Sequence, residues 1–195
     1  MISTTSKRLS AAVVPLVVLA GLVLPPSAST AATKSVFFEE TSQAFWVVPH
    51  ECADGSTVEA TLLVETTRDF ESPDTEDADP TARVQYLAVC PDGTSYSWIA
   101  FAPATIISAK NLKSVKATGS GIARDNLGQT HEVTFDVSWT AVGPLESSVN
   151  GPGSSRKQRE ATATGTVTFD GAVLVDGPAN HPTRPSPFIR VDIEK

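Results

Sequence analysis

The sequence predicts an all-β protein: an antiparallel β-sandwich or barrel of about eight or nine strands, joined by a Cys52–Cys90 disulfide, with little or no helix. Three observations carry this expectation. Apolar and polar residues alternate with a period of two in several segments, the pattern of strands with one buried face. Turn dipeptides, chiefly Asp-Gly, separate those segments. The only two cysteines each end an apolar run just before such a turn.

The chain opens with Lys7 and Arg8, then an uncharged apolar run from Ala11 to Leu24, then Pro25-Pro26 and small residues through Ala32. Basic start, apolar core and small-residue exit form the three-part pattern of a secretory signal. The run is about 14 residues, short of the roughly 20 a spanning helix needs. Cleavage is expected after Ala31 or Ala32, with Ala32 preferred. The domain plan is therefore a signal peptide, 1–32, and one secreted β domain, 33–195. Removing the leader takes away two positive charges and moves the net charge from −7 to −9. So acidic a chain lacks the clustered Lys and Arg that nucleic acid or anionic lipid requires. No later stretch is long and apolar enough to span a membrane, so the mature form is expected to be a soluble, extracellular monomer.

The first Cys opens Cys52-Ala53-Asp54-Gly55-Ser56-Thr57, and the second opens Cys90-Pro91-Asp92-Gly93-Thr94-Ser95. Two similar hairpins packed together would bring their cysteines into bonding range, and export would oxidise them. Around them, Val58, Ala60, Leu62 and Val64 share a face, as do Val84, Tyr86 and Ala88, and then Tyr96, Trp98 and Ala100. Ala104 to Lys113 has the most helical character, and it is short. Val115 to Arg124 alternates weakly and is rich in Gly and Ala. Asp125-Asn126-Leu127-Gly128 turns into the clearest strand, where Val133, Phe135, Val137, Trp139 and Ala141 face one way. Ala161 to Phe169 repeats that alternation with small inward residues and an outward threonine row. Asp170-Gly171 is a tight turn, and Ile189, Val191 and Ile193 suit a closing strand. Trp46, Trp98 and Trp139 read as core.

Three irregular tracts remain: Arg68 to Pro80, Gly143 to Ser155, and the proline-rich Gly177 to Pro187. Loops of that length are either functional or simply solvated. Asp74, Glu76, Asp77 and Asp79 could give calcium several oxygen ligands, but they lack the spacing and the turn glycine of the usual calcium loop. Arg156, Lys157 and Arg159 form the only basic cluster. They could face an acidic partner, or discourage edge pairing. His50, His131 and His181 make no HxH or HxxxH pair. Ser154 and Lys157 match S-x-x-K, but no helix follows to complete such a site. The small inward residues at 117–123 and 161–165 leave room either for facing aromatics or for a ligand.

No catalytic constellation emerges, and no cofactor is expected. The leading expectation is a secreted, non-catalytic domain that binds an extracellular protein or glycan partner. A carrier of a small apolar ligand and a carboxylate-dependent hydrolase are the alternatives. The first alternative needs an internal pocket. The second needs two or three carboxylates converging beside His131 or His50.

Overall fold

The computed structural model describes residues 36–72, 79–181, 184 and 186–194. The expected leader lies outside them, as do Asp74, Glu76 and Asp77. The described chain forms β1 (Val36–Glu51), β2 (Thr57–Ser72), β3 (Thr81–Val89), β4 (Ser95–Ser108), β5 (Ser114–Asp125), β6 (Thr130–Ala141), β7 (Glu146–Gly151), β8 (Ser154–Phe169), β9 (Ala172–Pro178) and β10 (Phe188–Glu194). Ala104 to Lys113 is not helical. β4 runs on to Ser108 and only Lys110–Leu112 makes a turn of 3-10 helix. Pairing of Thr105 with Thr118 and of Ile107 with Lys116 draws that segment into the sheet, a case of tertiary pairing overriding local propensity.

β1 to β6 form an antiparallel meander, β6 then pairs β8, β8 pairs β10, and β10 returns to β1. The sheet therefore closes into a barrel. β6 and β7 lie along one edge of β8, while β9 and β10 lie along the other. Each of these pairs is one stave broken in two, the first at Gly143-Pro144 and the second between Pro178 and Phe188. Prolines cannot donate ladder bonds, so the chain breaks there. Ten strands thus occupy eight barrel positions.

One seam is closed by isolated hydrogen bonds rather than by a ladder. The C-terminal half of β1 has no ladder with β9. Instead the Asn180 N–H donates to the Phe45 carbonyl at 3.2 Å, and the Val47 N–H donates to Asn180 Oδ1 at 2.9 Å. The Trp46 indole N–H donates to the Gly177 carbonyl at 3.2 Å. Asn180 stands in for the strand that the prolines interrupt.

The up-and-down order sorts the connections. The four turns at 52–56, 90–94, 125–129 and 170–171 lie at the disulfide end. Residues 72 and 81, the 108–114 connection, the 151–154 turn and residues 36 and 194 lie at the far end. The interior between them is filled. Trp46, Trp139 and Phe135 are 1%, 0% and 4% exposed, amid Ala44, Leu62, Val84, Val137 and Val167. An eight-stranded barrel encloses little more room than its own side chains need.

Small inward residues admit those aromatics. A Cβ on Gly119 would stand 2.5 Å from the Pro103 carbonyl oxygen and 2.6 Å from the Phe135 ring. Gly119→Ala is expected to destabilise the fold by about 1–3 kcal/mol through overpacking. Urea unfolding would show this as a lower midpoint with an unchanged slope, and an unchanged midpoint would mean that Phe135 moves aside freely.

Candidate functional site

At the disulfide end three turns share one hydrogen-bond pattern. The N–H of Cys52 donates to the Ser56 carbonyl, that of Cys90 to Thr94, and that of Asp125 to Gln129. The fourth residue of each turn donates back to the first. Gly55 and Gly93 take φ of +82° and +86°, which residues with a Cβ rarely adopt. Asp54 Oδ1 accepts from the Ser56 hydroxyl and N–H, and Asp92 Oδ1 accepts from the same groups of Thr94. Those bonds hold both carboxyls below their ordinary range. The matched sequences thus build matched turns, and Cys52 and Cys90 are joined with their Cα atoms 6.0 Å apart.

Beneath the disulfide lies a run of stacked rings. His50 stacks on Tyr96 at 5.5 Å, Tyr86 on Trp98 at 5.5 Å, Trp98 on Phe169 at 4.9 Å, and His131 on Phe169 at 4.4 Å. The Tyr86 hydroxyl meets His50 Nδ1 at 3.0 Å. Burial, with Tyr96 adding to it, pushes the Tyr86 phenol up to about 12, so it stays protonated at neutral pH. One ring nitrogen of His50 and the sulfurs of Cys52 and Cys90 lie within 4.8 Å of one another.

His131 ends the run between two carboxylates. Its Nδ1 is 2.7 Å from Asp170 Oδ2 and its Nε2 is 3.4 Å from Asp125 Oδ2. The other oxygen of Asp170 accepts from the Glu132 N–H, and Asp125 Oδ1 accepts from the N–H groups of Leu127 and Gln129. The trio ties the 125–129 turn to the 170–171 turn. The Asp170 bond raises the His131 pKa, burial opposes it, and the Asp125 bond adds to the rise. The His131 bond lowers the Asp170 carboxyl. For Asp125 burial raises the pKa, but the Gln129 N–H, His131 and the Leu127 N–H outweigh it.

The stability this trio adds is therefore bounded on both sides. The His131 contribution is whole below the unfolded value of 6.5 and fades as pH rises through the higher folded value. The aspartate contributions are whole above 3.8 and fade as pH falls through the lower folded values. His131→Gln is expected to cost more stability at pH 5.5 than at pH 9, measured by urea unfolding at both. Equal losses would mean that the imidazole binds its proton no more tightly in the folded state than in the unfolded chain.

No protein-family model, curated protein or solved structure matches this chain.

The other residues singled out from the sequence lie apart from this cluster. Asp79 is exposed, beside the undescribed part of its loop. The basic cluster divides. Arg156 pairs with Asp192 at 2.7 Å, and Asp192 also takes Arg190 at 2.9 Å. Arg159 Nε donates to the Asn111 carbonyl at 3.0 Å and Nη1 to the Gly143 carbonyl at 2.9 Å, pinning two connections. Strand alternation sets Arg156 on the opposite face from Lys157 and Arg159. Ser154 and Lys157 lie on a strand, not at a helix start. His181 leaves the proline-rich tract to meet the Thr61 hydroxyl at 3.0 Å.

Inside the far end, the barrel wall turns polar. Arg68 Nη2 donates to Glu40 Oε2 at 2.9 Å, and the Ser108 hydroxyl donates to Glu40 Oε1. Three strands, β1, β2 and β4, supply these groups. There β7 lies along one side of β8, whose other side carries β10. Val149 on β7 is 82% exposed. Among the described residues β7 pairs with β8 alone.

The sequence reading missed two groupings. His50 and Cys52 lie two apart, so strand alternation puts them on one face; that signal was present in the chain. The approach of Asp125 and Asp170 to His131 depends on which turns become neighbours, which no local pattern reveals.

Proposed function

We propose that the protein is exported and acts as a non-catalytic binding module, accepting an extended segment of an extracellular or cell-surface protein along the outer edge of β7. The free edge of β7 carries this reading. Its backbone is laddered on one side only among the described residues; β9 also pairs with β8 alone, but its other side is tied to β1 through Asn180 and Trp46. An open edge presents unpaired N–H and C=O groups to another chain, the basis of recognition by strand addition. On the adjoining face, from β7 across β8 to β10, lies a groove of about 290 Å³ lined by Gly143, Pro144, Glu146, Gln158, Pro187 and Phe188. The disulfide is compatible with export, as is the lack, among the described residues, of any helix able to cross a membrane. The filled interior lends no support to a ligand carrier.

A photo-crosslinking amino acid placed at Val149, on protein presented to the surface of the producing cells, tests the reading. One discrete crosslinked protein from position 149, and none from the exposed Leu127 at the disulfide end, is the expected result. Equal crosslinking from both positions, or none from 149, overturns it.

A hydrolase is the second reading, raised by the convergence of Asp125 and Asp170 on His131. Both ring nitrogens face carboxylates, though the imidazole itself fills the space between them. This reading predicts glycoside hydrolysis that Asp170→Asn abolishes.

A further inference from the structure

We propose that once the Cys52–Cys90 bond is reduced, His50, Cys52 and Cys90 form a three-ligand site for a tetrahedral, thiolate-seeking divalent cation such as zinc. The proposal rests on placement. Cys52 ends the β1 stave, Cys90 ends the β3 stave, and His50 stands two residues before Cys52 on the same inward face. One imidazole nitrogen and both sulfurs already lie within 4.8 Å of one another. Two thiolates and an imidazole are the donor set that selects zinc over harder cations.

The surroundings suit a ligand set. Both cysteines are buried, at 6% and 8% exposure. Their two turns are held independently of the disulfide by Asp54, Asp92 and the turn backbone. The His50 ring is held by Tyr96 stacked on it and by the Tyr86 hydroxyl on Nδ1. A hydrogen bond of this kind orients histidine ligands and steadies their tautomer. Zinc–sulfur bonds of about 2.3 Å in tetrahedral geometry require the sulfurs to stand about 3.8 Å apart. With the Cα atoms 6.0 Å apart, rotation of the two side chains supplies that separation. The fourth position is left to water.

The chemistry balances in two steps. An external dithiol gives two electrons and its two protons and becomes a disulfide, or a phosphine gives two electrons while one water supplies the two protons and the oxygen of the phosphine oxide; either way the protein disulfide becomes two thiols. The cation then displaces both thiol protons to solvent and binds the two thiolates. Oxidation releases the cation, so the disulfide and the metal are mutually exclusive occupants.

Cobalt(II) reads the site directly. Full-length protein, oxidised or reduced by a phosphine and desalted without air, is titrated with Co²⁺. Reduced protein is expected to give sulfur-to-cobalt charge transfer and intense tetrahedral visible bands, saturating at one ion per chain and erased by Zn²⁺. Oxidised protein is expected to give neither. His50→Gln is expected to weaken binding by at least about tenfold, since even outer-shell losses cost that much. In case that variant misfolds, the cobalt form of the wild type is examined by proton NMR for a strongly shifted, exchangeable imidazole N–H. Absence of the bands in reduced protein overturns the proposal, as does a missing imidazole signal. Equal binding by His50→Gln, or by the chain unfolded in urea, also overturns it, because coordination would then need neither His50 nor the fold.

Discussion

Replacing Arg68 with methionine is expected to lower the unfolding free energy by about 3 kcal/mol, the low end of what removing one partner of a buried ion pair costs. Glu40 is 5% exposed and receives its charged hydrogen bond from Arg68 Nη2 at 2.9 Å. Methionine keeps much of the side-chain volume and removes the charge. Glu40 would then retain the Ser108 hydroxyl as its bond from the barrel wall. The low end applies because the Arg68 side chain keeps 18% exposure, so solvent softens the change. The double variant Glu40→Met/Arg68→Met is expected to recover most of the loss, since an apolar replacement removes the desolvated charge as well. Urea unfolding of the three proteins measures both effects. A single variant as stable as the wild type would show that Glu40 does not depend on Arg68.

Loss of the disulfide is expected to cost about 4 kcal/mol. The bridge spans 38 residues, and closing a loop of that length removes about this much chain entropy from the unfolded state. For a domain of this size each kcal/mol is worth roughly 2–4 °C, so Cys52→Ser/Cys90→Ser should melt roughly 8–16 °C lower. The native turns keep their own bonds: Gly55 N–H to the Cys52 carbonyl at 2.9 Å and Gly93 N–H to the Cys90 carbonyl at 3.0 Å. The barrel should therefore remain folded at room temperature, and the loss should appear in the melting curve rather than in near-UV circular dichroism. A double variant that melts with the wild type would mean that the unfolded chain is already held compact around these turns.

The strands were the most legible part of the chain. Val133, Phe135, Val137 and Trp139 alternate with polar residues and are all buried in β6. Such alternation is a local property of a half-buried strand, so it survives in the sequence. The Asp-Gly turns were equally legible, because a positive φ at glycine is a requirement of single residues. The start of β7 was hidden, since Gly143-Pro144 and a run of Ser and Asn read as loop while β8 supplies the partner that makes them a strand. Asn180 was hidden for the same reason. Nothing beside it in sequence says that its N–H will find the Phe45 carbonyl and its Oδ1 the Val47 N–H in place of a strand.

Period, turn chemistry and cysteine spacing were enough to establish an antiparallel all-β chain with one bridge. They act between residues close in sequence, or between two unique residues with one possible partner. Closure of the barrel was decided in three dimensions, by β10 pairing with both β1 and β8 across most of the chain length. So were the His50–Cys52–Cys90 cluster, the clasp of Asp125 and Asp170 on His131, and the free edge of β7. Each depends on which strands become neighbours, and that choice is made by the summed fit of interior side chains such as Trp46, Phe135 and Trp139 rather than by any segment alone.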